Sequence, residues 1–264
     1  VKILNNTCGQ FNNYGIILYY SNYSIVKNNT CYRNIYEGIT SANSCFNRIE
    51  FNNCSNNYGT GIKVKNDEND VISANICNYN FRGTYIVDSS NSTVTNNLFC
   101  YNNEWGGMFG NWDTSSKNNL TITNNVFSFT ARDGFRGDGL KNSLITNNTF
   151  SNNTLYGLVL YSDTSNNQIH HNSFLGNNLE GTSQALDHGK NNLWYDEETK
   201  EGNFWDDWTS RRPYPIDGGA EAEDKYPLNE SFERISFQFF SLGSLLLLVC
   251  IFLFRKRKKI FDKE

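Results

Sequence analysis

The chain has 264 residues, and its 23 Lys and Arg against 27 Asp and Glu give a net charge of −4. Phosphate binding needs clustered basic side chains, and no basic stripe occurs before the C-terminal tail, which argues against nucleic acid as a partner. Only 38% of the residues are hydrophobic while 43 are asparagine, which predicts a narrow core rather than a large globular one.

The sequence repeats itself from its first residues. The stretch ILNNTC at Ile3 returns as VKNNTC at Val26, IEFNNC at Ile49 and ISANIC at Ile72. The second polar residue of each stretch defines an anchor, and the first four anchors are 23 residues apart. The eight anchors are Asn6, Asn29, Asn52, Asn75, Asn97, Asn125, Asn148 and Asn172. Such a period is typical of solenoids, in which each repeat buries its core by stacking on its neighbours.

Three further positions keep their residue type relative to the anchor. A β-branched aliphatic residue stands three places before it, Cys or Phe two places after it, and glycine about nine places after it. The Cys/Phe position reads Cys8, Cys31, Cys54, Cys77, Phe99, Phe127, Phe150 and Phe174, and the glycine position reads Gly15, Gly38, Gly61, Gly83, Gly106, Gly134, Gly157 and Gly181. We expect each set to form a column, with asparagine and glycine at corners where the backbone is left-handed.

Short alternating runs follow the glycines, as in GIILYY at Gly15 and GLVLY at Gly157. Alternation with period two indicates β-strands, and no helical periodicity occurs before the C-terminal tail. Parallel connections are almost always right-handed. The sequence therefore predicts an all-β fold, a right-handed parallel β-helix of about eight coils over residues 1–191. Because Val1 falls inside a repeat, we expect the chain to be a fragment or a processed form.

The four cysteines of the column are expected to act as small buried hydrophobic residues. Stacked parallel side chains point the same way, which makes them poor partners for disulfide bonds. Cys45 and Cys100 lie off the column, and the sequence leaves their state open.

One stretch stands out as a candidate site. The longest repeat contains NNEWGGMFGNWD, and the next contains ARDGFRGDG. Exposed aromatic rings and carboxylates are what a sugar site needs, the carboxylates as acid and base. The alternative is that the aspartates are corner residues paired with Arg136 and that the tryptophans cover their own loop. The candidate catalytic residues are Asp133, Arg136 and Asp138, and the candidate ligand-binding residues are Glu104, Trp105, Trp112 and Asp113.

Residues 192–228 break the repeat and are rich in Trp, Tyr and Pro. They contain NNLWYDEETKEGNFWDDW from Asn191, PYPIDGG from Pro213 and DKYPL from Asp224. With these motifs the chain resembles the right-handed parallel β-helices with NosD-like repeats, which are related in shape to pectate lyases. The resemblance implies a surface or periplasmic protein in which residues 192–228 cap the end of the β-helix.

The resemblance to NosD-like proteins, which were named for a role in copper-site assembly, makes the histidines candidate metal ligands. His170 and His171 are adjacent, and neighbouring side chains on a strand point to opposite faces. They therefore cannot chelate an ion together without a bulge, and Met108 is the single methionine. We expect no metal and no cofactor.

The C-terminal part predicts a membrane anchor. Residues 229–234 form a short linker to ISFQFFSLGSLLLLVCIFLF, residues 235–254, which is uncharged and long enough to span a bilayer as one transmembrane helix. The basic stretch RKRKK begins the tail, residues 255–264, and positive residues mark the cytoplasmic side. We therefore expect a single-pass protein of the cell membrane with its β-helix outside.

Two functions remain open. The favoured interpretation is a cell-surface protein that binds glycans or envelope partners without catalysis. The alternative is a polysaccharide lyase or glycoside hydrolase that acts on a face of the β-helix. The ligand and the oligomeric state are not predicted.

Overall fold

The computed structural model describes residues 1–111, 118–210 and 212–231. All regular elements in these ranges are short β-strands, so the predicted all-β class is confirmed. The strands are β1 Lys2–Leu4, β2 Thr7–Gly9, β3 Ile16–Tyr19, β4 Ile25–Lys27, β5 Thr30–Tyr32, β6 Ile39–Ala42, β7 Arg48–Glu50, β8 Thr60–Lys65, β9 Val71–Ser73, β10 Arg82–Val87, β11 Thr93–Thr95, β12 Leu98–Cys100, β13 Gly107–Gly110, β14 Thr121–Thr123, β15 Val126–Ser128, β16 Phe135–Asp138, β17 Leu144–Thr146, β18 Thr149–Ser151, β19 Leu158–Leu160, β20 Gln168–His170, β21 Ser173–Leu175, β22 Ala185–Asp187, β23 Phe204–Trp205, β24 Tyr214–Pro215 and β25 Glu223–Asp224.

The strands stack into three parallel sheets. The first sheet has the order β1-β4-β7-β9-β11-β14-β17-β20, and the third has the order β3-β6-β8-β10-β13-β16-β19-β22. The second contains β2-β5 and β12-β15-β18-β21-β23, joined through isolated bridges at Asn53 and Ile76. Each coil gives one strand or bridge to each sheet, which makes a parallel β-helix of about eight coils.

The predicted inner columns are confirmed. Val26, Ile49 and Ile72 pair in register on the first sheet and are fully buried. Phe99, Phe127, Phe150 and Phe174 stack with successive ring centroids 5.1, 5.3 and 4.9 Å apart. Cys31, Cys54 and Cys77 continue this column as free, buried thiols, and burial helps to raise the pKa of Cys54.

The glycine column has a different cause from the one expected. The glycines at the start of the third sheet do not adopt left-handed angles. A Cβ on Gly15 would lie 2.4 Å from the Gly38 oxygen, and one on Gly61 would lie 2.7 Å from both Cys77 Cβ and the Gly83 oxygen. Glycine is needed there because neighbouring coils approach too closely for any side chain.

The left-handed corners are filled by other residues. The residue before each anchor has a positive φ, as at Asn28 (57°), Asn96 (59°) and Asn147 (55°). His171 takes the same place with a φ of 57°, which agrees with its interpretation as a corner residue.

Buried asparagines form a hydrogen-bonded ladder. The backbone N–H of each anchor donates to the side-chain oxygen of the next, as from Asn52 to Asn75 (2.9 Å) and from Asn125 to Asn148 (2.9 Å). The ladder continues beyond the repeats through Asn203 and ends on Asp224, whose Oδ2 accepts from the Asn203 N–H at 2.6 Å. The anchor positions thus pair polar backbone groups that the core would otherwise leave unsatisfied.

Two parallel ladders also end on acidic groups in or near the tail. Asn192 donates to Asp187 at 3.1 Å, and the Trp194 indole donates to the same carboxylate at 2.9 Å. Gln184 closes another ladder and donates to both Asp206 and Asp207 at 2.9 Å.

The tail follows the course of one more, irregular turn. Leu193 bridges to the first sheet, Phe204–Trp205 pairs with the second, and Asp217 bridges to the third. Trp205 is buried between the rings of Phe174 (4.1 Å) and Tyr214 (3.9 Å). The expectation that no further coil follows residue 191 therefore needs this refinement, while the capping role stays a prediction.

The predicted membrane span, residues 235–254, and the basic tail lie outside the described residues. Within residues 1–111, 118–210 and 212–231, no helix is long and apolar enough to cross a membrane.

Candidate functional site

The outer side of the third sheet carries a stack of alternating cations and rings. Trp105 directly precedes Gly106 at the entrance to β13. The guanidinium carbons of Arg82 and Arg136, one from the coil before and one from the coil after, each lie 4.6 Å from the Trp105 ring centroid. Such cation–π contacts hold the three side chains in a fixed order across three coils.

The stack extends by one aromatic ring at each end. Arg82 lies 5.3 Å from the ring of Tyr85, and Arg136 lies 4.2 Å from the ring of Tyr161. We call Arg82, Tyr85, Trp105, Arg136 and Tyr161 the Trp105 face. Because arginine and aromatic rings alternate over four coils, the face presents a long surface rather than a single pocket.

Each arginine of the Trp105 face is also ion-paired. Arg82 Nε donates to Glu104 Oε2 at 2.5 Å, and Arg136 Nη2 donates to Asp138 Oδ2 at 2.9 Å. The two arginine side chains keep 27% and 21% of their surface exposed, so solvent reaches them. The carboxylates hold the guanidinium planes in place more than they stabilise the fold, because pairs near solvent contribute little.

The repeat explains this placement. Lys63, Tyr85, Met108 and Arg136 pair in register on successive strands, each two places after a repeat glycine. Their neighbours Phe109 and Phe135 point inward and are fully buried. Strand alternation therefore sends the first set outward.

Asp133 lies on the coil next to Trp105, since the Gly106 N–H donates to the backbone carbonyl oxygen of Asp133 at 3.3 Å. Its side chain is buried, and burial raises its pKa to about 6 against the opposing influence of Arg132 and Arg136. A carboxyl group with this pKa can both accept and donate a proton near neutral pH.

Two donors of the Trp105 face are buried and unpaired. Neither Trp105 Nε1 nor Arg136 Nε has a hydrogen-bond partner among the described residues. Trp105 as a whole is only 7% exposed, so the expectation of an exposed ring is wrong for this residue. A buried unpaired donor costs about 1–3 kcal/mol, so these atoms favour any group that can accept a hydrogen bond there.

The structure brings four of the described candidates together. Glu104, Trp105, Arg136 and Asp138 belong to the Trp105 face or are ion-paired to it, and Asp133 lies on the same coil as Arg136. Their proposed roles stay predictions.

Trp112 and Asp113 lie outside the described residues. The residues that flank this stretch, Asn111 and Asn118, exchange two side-chain amide hydrogen bonds of 2.8 and 2.9 Å. These two flanking residues are therefore hydrogen-bonded to each other directly after β13.

Sequence reasoning missed Arg82 and Tyr85. The signal that could have found them is the repeat position. Arg82, Trp105 and Asp133 each directly precede a glycine of the column, as Tyr85 and Arg136 each follow one by two places.

The histidines behave differently from the expectation for a strand. His171 Nδ1 lies 2.6 Å from His170 Nδ1, and its Nε2 lies 2.8 Å from Glu201 Oε2. The left-handed φ of His171 turns the rings together instead of onto opposite faces. Within the part of the chain that the structure describes, no three His, Cys, Asp or Glu side chains are placed to hold a metal ion.

Stacked parallel coils with inner ladders of Val, Ile, Cys and Phe define a β-helix repeat protein, and comparison with protein families gives its hand and type. Residues 1–127 match the family described as "Right handed beta helix region", and residues 107–210 match "Periplasmic copper-binding protein (NosD)". The predicted resemblance to right-handed β-helix proteins with NosD-like repeats is therefore confirmed. No curated protein matches the sequence.

Several solved structures share the fold. The A-module of the mannuronan C-5 epimerase AlgE6 from Azotobacter vinelandii is 14% identical with a TM-score of 0.63, over 88% of this chain and 61% of that one. The periplasmic alginate epimerase AlgG is 18% identical with a TM-score of 0.56, over 72% of this chain and 49% of that one. The Dettilon tailspike protein is 16% identical with a TM-score of 0.61, over 73% of this chain and 42% of that one. The chain thus spans about half the length of the solved proteins it resembles.

Proposed function

We propose that the protein is a membrane-anchored cell-surface β-helix that binds a glycan through the Trp105 face without catalysis. The observation that carries the proposal is the stack of Arg82, Trp105 and Arg136, whose donors Trp105 Nε1 and Arg136 Nε are unpaired. Sugar sites combine aromatic side chains with a few fixed polar groups. Guanidinium groups cover the Trp105 ring on both sides, so the fixed polar groups of this face would carry the contact rather than a stacked ring.

The repeat suits a polymer better than a small molecule. The face runs over four coils, and stacked strands are about 4.8 Å apart, so equivalent side chains recur at short intervals along one line. An extended chain of sugar rings presents its own groups at short regular intervals too.

The structural neighbours support a carbohydrate ligand. Two of those named above are epimerases of mannuronan or alginate, and an alginate lyase from Paenibacillus also shares the fold at 10% identity, with a TM-score of 0.51 over 76% of each chain. This likeness concerns the fold, so the ligand class for this chain rests on the Trp105 face.

A binding role is favoured over catalysis because two of the three candidate carboxylates that the structure describes are ion-paired. Glu104 and Asp138 are ion-paired to arginines that are themselves packed on rings. A carboxylate that already accepts a hydrogen bond from an arginine is less free to approach the reacting atoms of a sugar.

One observation favours the alternative, a polysaccharide lyase or glycoside hydrolase. Asp133 is a buried carboxyl group with a pKa of about 6 on the coil next to that of Trp105. It could move a proton to or from a bound sugar near neutral pH, as catalytic carboxyl groups with raised pKa values do.

The test is a glycan array followed by titration calorimetry with the best ligand. Trp105→Ala should weaken binding by more than about tenfold, the effect of losing one central contact of about 1.4 kcal/mol. Tyr58→Ala is the matched control, because Tyr58 is an exposed ring outside the Trp105 face. No binding by the wild type, or equal losses in the two variants, would overturn the proposal.

Catalysis is tested on the same ligands by assays for new reducing ends and for unsaturated products. The proposal expects no turnover above the level of the buffer. Turnover that Asp133→Asn abolishes while binding persists would establish the alternative.

The anchor is tested by fractionation of cells that express the full chain. We expect the protein in the membrane fraction after carbonate washing, and in the soluble fraction once residues 235–264 are deleted. A truncated chain that stays in the membrane would show that another part holds it there.

A further inference from the structure

The two unpaired donors of the Trp105 face indicate the chemical class of the ligand. Glu104 and Asp138 take hydrogen bonds from Arg82 Nε and Arg136 Nη2, yet they leave Trp105 Nε1 and Arg136 Nε without an acceptor. The Arg136 guanidinium carbon lies 4.6 Å from the Trp105 ring centroid, so these donors belong to two directly stacked groups. Both are in fixed positions, because each side chain is held on two sides.

Ring contacts and a hydrogen bond fix the side chains of Trp105 and Arg136. Trp105 is held between two guanidinium groups, and Arg136 is held between Trp105 and Tyr161, with Asp138 as a third partner. A ligand would therefore find both donors already oriented, and little side-chain entropy would be lost on binding.

The chemistry of the donors favours an anion. Indole Nε1–H and guanidinium Nε–H donate and cannot accept, so each must meet an acceptor atom, and a hydroxyl oxygen or an anionic oxygen can serve. A sugar hydroxyl carries a proton of its own, whereas a carboxylate or a sulfate presents bare oxygens. Hydrogen bonds to a charged oxygen are also about twice as strong as those between neutral groups.

We infer that the Trp105 face binds an acidic polysaccharide and that Trp105 Nε1 and Arg136 Nε together hold the carboxylate or sulfate of one sugar residue. This rests on the proposed glycan-binding function and specifies its ligand class. The shared chemistry is an anionic oxygen group, and the experiment separates its two sources.

The probes are hexasaccharides of galacturonate and of mannuronate, each as the free acid and as the methyl ester, and a sulfated dextran hexasaccharide. Titration calorimetry with the full chain in detergent at fixed ionic strength gives the affinities. We expect one of the anionic probes to bind about tenfold more tightly than any neutral ester, the ratio expected when a charge-assisted hydrogen bond replaces a neutral one. A preference for the acids assigns a carboxylate, and a preference for the dextran assigns a sulfate.

Trp105→Phe keeps the ring between the two arginines and removes the N–H. It should reduce the affinity for the anionic probe about fivefold to tenfold and change the affinity for the esters less than twofold. Trp208→Phe is the matched control, because it makes the same change where the indole donates to the Arg212 oxygen, outside the Trp105 face. A second variant, Arg136→Lys, keeps the positive charge but lacks the Nε–H, and it should show the same loss if Trp105→Phe fails to fold.

Equal affinities for acid and ester would overturn the inference while leaving the proposed function intact, since water would then satisfy the two donors. A preference for the anion that neither variant lowers would also overturn it, because the anion would be held elsewhere. Failure of every probe, together with a silent glycan array, would instead overturn the proposed function itself.

Discussion

At the scale of the residue, Trp105 shows how a repeat can build a site. It occupies the same repeat position as Arg82 one coil earlier, and its ring packs against the guanidinium groups of Arg82 and Arg136. Stacking of the coils thus makes neighbours of three residues that are far apart in sequence. Any substitution at this position changes the surface at one defined height of the β-helix.

Asp67 and Asp70 form a second unusual feature at this scale. Both are buried, and they accept backbone hydrogen bonds from Ser44 (2.8 Å) and Asn47 (2.7 Å) at positions that hold Ser or Asn in adjacent coils. Burial raises the pKa of both groups, that of Asp70 to about 8. The neighbouring carboxyl group of Asp67 adds to the effect on Asp70, because two buried like charges repel.

The pair predicts a loss of stability as the pH rises from about 4 to about 8. In the unfolded chain the pKa of Asp70 is about 3.9. The folded state therefore binds more protons than the unfolded state between that value and about 8, and stability falls as pH rises through this window. Asp70→Asn should remove the loss, with a gain over the wild type on the order of 1.4 kcal/mol for each pH unit. Urea titrations from pH 5 to pH 9 measure it, and parallel stability curves for the two proteins would contradict it.

At the scale of the element, the inner phenylalanine column is the strongest candidate for what holds the coils together. Phe127 contacts Phe99 and Phe150 above and below and meets Phe135 edge to face at 5.8 Å. Each ring therefore touches three coils, and a repeat is supported only by its neighbours.

Truncation of Phe127 to Ala should cost about 3–5 kcal/mol of unfolding free energy, because the cavity cannot be filled by adjacent coils. Phe129→Ala is the matched control. Phe129 sits two residues later on the outside, where it stacks on Tyr101 at 4.8 Å, and it should cost about 0.5–1.5 kcal/mol. Urea denaturation of both variants decides the matter, and equal costs would mean that the inner column carries no special share.

The inner columns could be predicted because they depend on spacing alone. A Phe or Cys two places after each anchor has to point inward once the coil length is constant, so Phe127 and Cys54 were assigned correctly. The glycines were assigned correctly but for the wrong reason, because the close approach of coils at Gly61 is a property of packing that no single repeat reveals. His171 shows the same limit, since its left-handed φ overrides strand alternation.

The site was harder to predict than the columns. Trp105, Arg136 and Asp138 could be predicted because tryptophan and charged residues cluster there in a sequence that has few of them elsewhere. Arg82 escaped because its partners, Glu104 and Trp105, are 22 residues or more away in sequence and meet it only through stacking. Such contacts form between residues at matching positions of adjacent coils, so they can be found only by comparing positions from one repeat to the next.

At the scale of the whole β-helix, the last coil has hydrogen-bonding groups to satisfy both in the polar ladders and along the sheet edges. Asp224 accepts from Asn203 and from the Trp205 indole (2.9 Å), so the last rung has no unsatisfied ladder donor at that corner. We expect the aromatic rings over the final coil and the prolines in the tail to protect this edge from further pairing.

Deletion of residues 203–228, with the predicted span retained, should therefore expose a rung that can pair with another chain. We expect aggregates or chain dimers by size-exclusion chromatography in detergent. A monodisperse product with unchanged melting temperature would show that this segment is a linker only.

The central claim is that the Trp105 face holds the acidic group of a glycan, and a crystal structure of the protein with its preferred hexasaccharide tests it most directly. The account predicts a carboxylate or sulfate oxygen within about 3 Å of both Trp105 Nε1 and Arg136 Nε, with sugar rings extending along the third sheet. A glycan bound elsewhere, for example on the exposed tyrosines of the first coil, with only water at the two donors, would contradict it.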